Sequence, residues 1–133
     1  MAKDNFDELV SASITARNRA YAPYSNFLVG AALLTTDGTI FTGCNVENAS
    51  YGLAICAERT AICKAVSEGH LDFTAIAVAA VPLATPCGAC RQFIFEFGTE
   101  IKIITVNAND PSDQKIWTSG DLLPEGFDGD QLK

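Results

Sequence analysis

At 133 residues, 48% apolar and 19% charged, the chain has the balance of an ordinary globular domain, with length for one core and not for two. Sixteen acids against nine lysines and arginines give a net charge of −7, which argues against gripping a nucleic-acid polymer or docking on an anionic membrane, and no apolar run nears the roughly 20 residues of a membrane span. The opening MAKDNFDELV puts acids where a signal peptide needs a basic start, so the expectation is a cytoplasmic protein whose five cysteines are free, metal-bound or catalytic rather than paired.

In chain order, Phe6, Leu9, Val10, Ile14 and Tyr21 recur near helical spacing, with Asp4 placed to cap the helix and Pro23 to end it. Phe27 to Leu34 is apolar and meets Asp37-Gly38, a hairpin signal, after which Thr39 to Cys44 reads as the returning strand. A helical pattern follows from Cys56 to Glu68, with Gly69 where a C-terminal cap belongs. Phe73 to Val81 is the nearly continuous apolar run of a buried central strand. Pro86 opens a helix running to Gly98, Ile101 to Val106 reads as another strand, and a short helix is expected near Gly120 to Leu123. A fifth strand around Gln114 to Thr118 is only weakly signalled. The order of elements predicts a layered α/β sheet, and no repeat, linker or low-complexity tract divides residues 1–133.

Two segments carry chemistry: Cys56-Ala57-Glu58-Arg59 at one helix start and Pro86-Cys87-Gly88-Ala89-Cys90 at the next. Cys87 and Cys90 share a face of a first helical turn. Alone, such a pair is equally half of a structural zinc site, a redox pair or two buried thiols. With Cys56 the three thiolates fill three positions of a tetrahedral Zn²⁺ and leave the fourth for water, the arrangement of a catalytic site. Glu58, two residues after a ligand, can reach a metal only from the very start of a helix. Three thiolates leave the zinc cluster one unit negative, which two helix N-termini and the neighbouring Arg59 can moderate. Cys44 and Cys63 read as small buried hydrophobes, a four-cysteine site using Cys63 leaves Glu58 without a purpose, and His70, after a helix-ending glycine, is expected to be exposed.

Cys-x-Glu followed by Pro-Cys-x-x-Cys resembles the signature of zinc nucleobase deaminases. The wider chain resembles the small homotetrameric cytidine deaminases, through Tyr21 to Phe27, Val29-Gly30-Ala31-Ala32, Gly43 to Ala49, Cys56 to Thr60, Pro86 to Gln92, and Leu122-Leu123-Pro124 followed by Phe127. Segments 81–85 and 107–115 carry no such match. The resemblance implies a three-layer α/β/α fold with a five-stranded mixed sheet, one zinc per subunit, and a tetramer with sites at subunit contacts. It further implies that Phe27 stacks on the pyrimidine and that Asn45 and Glu47 bond the sugar hydroxyls. Asn48, Ala49 and Tyr51 would line the ribose pocket, Ala57 would touch the base, and Phe127 would cover it from a neighbouring subunit. The reaction implied is deamination of cytidine and deoxycytidine, with zinc acidifying a water and Glu58 carrying protons to N3 and then to the leaving amine. The rival readings are a deaminase of a nucleoside-like antibiotic or of polynucleotide cytosine on the same fold, and a non-catalytic zinc module that binds a partner protein.

Overall fold

The computed structural model describes residues 5–132. Five strands form one sheet in the order β2-β1-β3-β4-β5: β1 (Gly30–Thr35), β2 (Ile40–Cys44), β3 (Phe73–Ala80), β4 (Lys102–Asn107) and β5 (Asp110–Thr118). Only β3 and β4 run parallel; the other three pairings are antiparallel, so the sheet is mixed. Helix α1 (Asp7–Arg17) covers one face, and α2 (Ala57–Ser67) and α3 (Gly88–Phe95) cover the other.

Strand alternation divides the core between the two faces. Ala31, Leu33, Ile76 and Ile103 point to α2 and α3, while Ala32, Ala75, Ala77, Ala79, Ile104 and Val106 point to α1. Alanine on so many strand positions brings the helices in close. Two glycines take this furthest. A Cβ on Gly30 would lie 2.1 Å from the Ser13 carbonyl of α1, and one on Gly43 would lie 2.5 Å from the Ala61 nitrogen of α2. Each helix is thus seated directly on strand backbone, which fixes its height above the sheet.

Several expectations change at element ends. Asp4 lies outside the described residues; the Asn5 side chain accepts from the Asp7 N–H at 2.9 Å. Helix α1 stops at Arg17, before Pro23, because Tyr21 instead pairs with the chain beyond β2: the Tyr21 N–H donates to the Asn45 carbonyl, and the Glu47 N–H donates to the Tyr21 carbonyl. The expected helix at Gly120 to Leu123 is a run of turns, since Thr118 and Asp121 bond each other and Pro124 has no N–H with which to continue. The fifth strand is nine residues long rather than five. Cys44 is half-buried with its thiol donating to the Arg19 carbonyl, and Cys63 is exposed on α2, so neither is a core residue. His70 is half-buried, with its ring 5.0 Å from that of Phe41 and Nδ1 3.6 Å from Asp37 in the hairpin.

Candidate active site

The site forms where the carboxyl ends of β2 and β3 meet the start of β1, beneath the N-termini of α2 and α3, the usual crevice of an α/β sheet. Cys56 is the N-cap of α2 and Cys87 the N-cap of α3, both in extended backbone. Cys90 lies one turn on in α3, fully buried, and its N–H donates to the Cys87 sulfur at 3.4 Å. The local helix starts that bury Cys90 therefore also aim Cys56 and Cys87 at it. All three sulfurs lie within 4.8 Å of one another, with 3.8 Å between those of Cys56 and Cys87. Two sulfurs each about 2.3 Å from a tetrahedral zinc stand about 3.8 Å apart, so the cradle fits that ion. Among the described residues this trio is the single such cluster, and exposed Cys63 is not part of it.

The thiols already share charge among themselves. Cys56 is held down at about 5, first by the Cys90 thiol donating to it and then by Arg59 and Cys87, against the opposing effect of burial. Cys90 is pushed up as the donor of that pair, with burial adding. Arg59 Nη2 donates to the Cys56 sulfur at 3.4 Å, and contact with the thiolates raises the guanidinium further above its usual range. Arg59, next to Glu58 in the sequence, thus reaches one of the three sulfurs directly. Glu58, in the first turn of α2, is only 4% exposed, and burial pushes its carboxyl up to about 7. The Cys56 thiolate adds to that rise, while its own N–H and Arg59 oppose it.

A cavity of about 220 Å³ opens over this group, lined by Phe27, Val29, Asn45, Cys56, Ala57, Glu58, Val78, Ala80, Ala84, Thr85 and Cys87. Phe27, Asn45, Ala57 and Glu58 thus share one chamber with Cys56 and Cys87. Asn26, at φ 58°, turns the chain so that Phe27 and Val29 face it. The Asn45 amide braces the same segment, accepting from the Val29 N–H and donating to the Phe27 carbonyl, both at 2.9 Å.

A second cavity, of about 300 Å³, is lined by Tyr24, Ser25, Glu47, Asn48, Tyr51 and Ala54. Glu47 is engaged there by the N–H groups of Tyr24 and Ser25 at 3.0 and 3.2 Å and by the Ser25 hydroxyl, which holds its carboxylate below the usual range. Ala49 sits in an exposed bend and lines neither cavity. Phe127 also lines neither; its ring is 54% exposed and its carbonyl accepts from Gln92. Val78, Ala80, Ala84 and Thr85 were not foreseen. The first two are hidden in a uniform apolar strand, and the others lie in a loop without a signature of its own.

The family model for the cytidine and deoxycytidylate deaminase zinc-binding region matches residues 3–106. A probable cytidine deaminase of Dictyostelium discoideum is 48% identical, over 99% of this chain and 90% of that one. A cytidine deaminase of Sporosarcina psychrophila is 47% identical, over 95% and 93%. Among solved structures, the cytidine deaminase of Burkholderia pseudomallei superposes with a TM-score of 0.88 at 48% identity, covering 93% of this chain and all of that one. With the sulfur cradle, the buried carboxyl and the five-stranded sheet agreeing, the chain belongs to the cytidine and deoxycytidylate deaminase zinc-binding family.

Proposed function

We propose that the chain is a zinc-dependent hydrolase that converts cytidine and deoxycytidine, with water, into uridine and deoxyuridine plus ammonia. The observation that carries this reading is Glu58, a carboxyl buried to 4% exposure beside three sulfurs within 4.8 Å of one another. A closed structural zinc site has no use for such a group, and burying a carboxyl costs stability that only a function repays.

Cys56, Cys87 and Cys90 would hold the metal, whose Lewis acidity makes a water nucleophilic near neutral pH. Glu58 takes the first proton from the attacking water and delivers it to N3 of the base, which makes C4 electrophilic. It then carries the second proton to the amino nitrogen, and the C4–N bond breaks as ammonia leaves. A carboxyl whose pKa burial raises is suited both to accept and to return protons near neutral pH. Arg59 draws charge from the Cys56 sulfur. Phe27 and Ala57 bound the base, while Asn45, through its unused lone pair and N–H, and Glu47 receive the sugar. Asn48, Ala49 and Tyr51 complete the sugar pocket.

The unit is a single catalytic domain over residues 1–133, working in the cytoplasm as a homotetramer, with no nucleic-acid polymer or membrane as partner. Support for assembly comes from the surface: Tyr51, a lining residue of the second cavity, is 80% exposed, and Phe127, outside both cavities, is 54% exposed. Among the described residues no helix is long and apolar enough to cross a membrane.

Ammonia release from cytidine, deoxycytidine, cytidine monophosphate, a cytosine-bearing nucleoside antibiotic and single-stranded DNA tests the reading. With Glu47 in the sugar pocket and a net charge of −7, both nucleosides should exceed the nucleotide by about 10² or more in kcat/KM. Equal values for nucleoside and nucleotide would refute the assignment of substrate, and zinc bound without turnover of any of the five would leave only a binding module.

A further inference from the structure

Arg91 follows the metal ligand Cys90 directly, yet it makes no ion pair among the described residues of a chain with sixteen acids. Its three nitrogens instead reach three neutral acceptors in two segments, the Thr85–Pro86 loop and the tail at Leu122. Nε donates to the Pro86 carbonyl at 2.9 Å, Nη2 to the Thr85 hydroxyl at 3.0 Å and Nη1 to the Leu122 carbonyl at 3.2 Å. Gln92, the next residue, donates through Nε2 to the Phe127 carbonyl at 2.7 Å. The segment so gripped also packs on α3: a Cβ on Gly126 would stand 2.9 Å from the Phe95 ring, so only a glycine lets the tail come this close.

The acceptors define what the grip controls. Thr85 is a wall of the cavity over the sulfurs, and Pro86 leads into the ligand Cys87. Leu122 anchors the tail in the α2–α3 core, and Phe127 is the aromatic residue at its far end. A guanidinium with its donors in a rigid fork is suited to holding several carbonyls at fixed angles, and a hydrogen bond from a charged donor is about twice as strong as a neutral one.

We infer that Arg91 and Gln92 are positioning residues that tie the Thr85 wall and the Phe127-bearing segment to the helix that carries Cys90, and so set substrate affinity without touching substrate. Neither contacts the reacting atoms. Loosening them alters how the base is enclosed in ground and transition states alike, which raises KM and leaves kcat largely unchanged. The kinetic part of the inference rests on the deaminase reading above.

Arg91→Ala, Arg91→Lys and Gln92→Ala in the full-length zinc enzyme provide the test, with zinc content, cytidine kinetics and amide exchange measured on each. Arg91→Ala should keep its zinc, raise KM about tenfold or more, the scale of one lost charge-assisted hydrogen bond, and hold kcat within about threefold. Arg91→Lys, which retains the charge but can meet only some of the acceptors, should fall between. Millimolar guanidinium chloride should lower the KM of Arg91→Ala where equal sodium chloride does not. Amides of residues 118–128 should exchange about tenfold faster or more in Arg91→Ala and Gln92→Ala, while those of α2 keep their protection. Unchanged KM, a fall in kcat alone, or a KM that follows zinc loss in every variant overturns the inference. Should Arg91→Ala not fold, Arg91→Lys and Gln92→Ala carry the same comparison. Wild-type enzyme inert towards cytidine defeats the deaminase reading separately; the tie is then decided by exchange, and unaltered rates over 118–128 refute it.

Discussion

Glu58 stands out among the sixteen acids because burial, with the Cys56 thiolate adding, raises its carboxyl to about 7, and the proton task proposed for it would account for that burial. Glu58→Gln keeps size and shape while removing the exchangeable proton. The variant should retain its zinc, since the sulfurs are untouched, and lose about 10² to 10⁴ in kcat, the usual effect of deleting a positioned proton carrier. Single-turnover kinetics with parallel metal analysis decide the matter; near-normal turnover would remove Glu58 from the mechanism. The residues at this scale were legible to different degrees. Cys56, Glu58, Cys87 and Cys90 could be read because metal chemistry restricts residue type and spacing together. Glu47 was less legible: its bonds to the Tyr24–Ser25 backbone arise from a turn that spacing does not reveal. Asn45 likewise spends part of its amide on the Phe27–Val29 segment, a bracing role visible only in three dimensions.

Among elements, the buried strands were the easiest to foresee. β3 lies between β1 and β4 with helices on both faces, so its sequence is apolar apart from Thr74. β5 is an edge strand whose first seven residues are exposed, and a strand that pairs on one side and faces water needs no apolar run. Helix ends were misplaced where long-range bonds compete with helical ones, as at Tyr21, whose partners lie beyond β2. The seating of α2 gives an element-scale prediction. Gly43→Ala places a methyl 2.5–2.6 Å from the Ala61 nitrogen and the Ala57 carbonyl, both rigid backbone atoms. α2 must lift, and Cys56 and Glu58 ride on its first turn. Thermal unfolding should show a loss of about 1–3 kcal/mol, the cost of overpacking, and zinc affinity should fall with it. A variant with wild-type stability and metal affinity would mean that α2 is free to shift on the sheet.

At the scale of the whole molecule, an open pocket and an outlying Phe127 suit a site finished by a second copy of the chain. Tetramers mixed from Phe127→Ala chains and Glu58→Gln chains would contain some pockets that combine an intact Glu58 with a neighbour's intact Phe127. Phe127→Ala alone should raise KM with zinc retained, and an aromatic contact of this kind is worth about 0.5–1.5 kcal/mol beyond its buried area. The mixtures should regain low-KM activity that neither parent shows. Mixed tetramers verified by mass but lacking such activity would confine each Phe127 to its own subunit. The placement of the sulfurs has a further consequence for how the chain folds. Cys87 and Cys90 can come together within one helical turn, whereas Cys56 lies 31 residues before Cys87 and meets it only after β3 is in place. A zinc joining them acts as a late staple across a loop of that length, and chain entropy sets the value of such a closure at about 3–4 kcal/mol. Loss of the ion therefore removes the catalyst and the staple together, so copies starved of metal are the ones that open most readily to proteolysis.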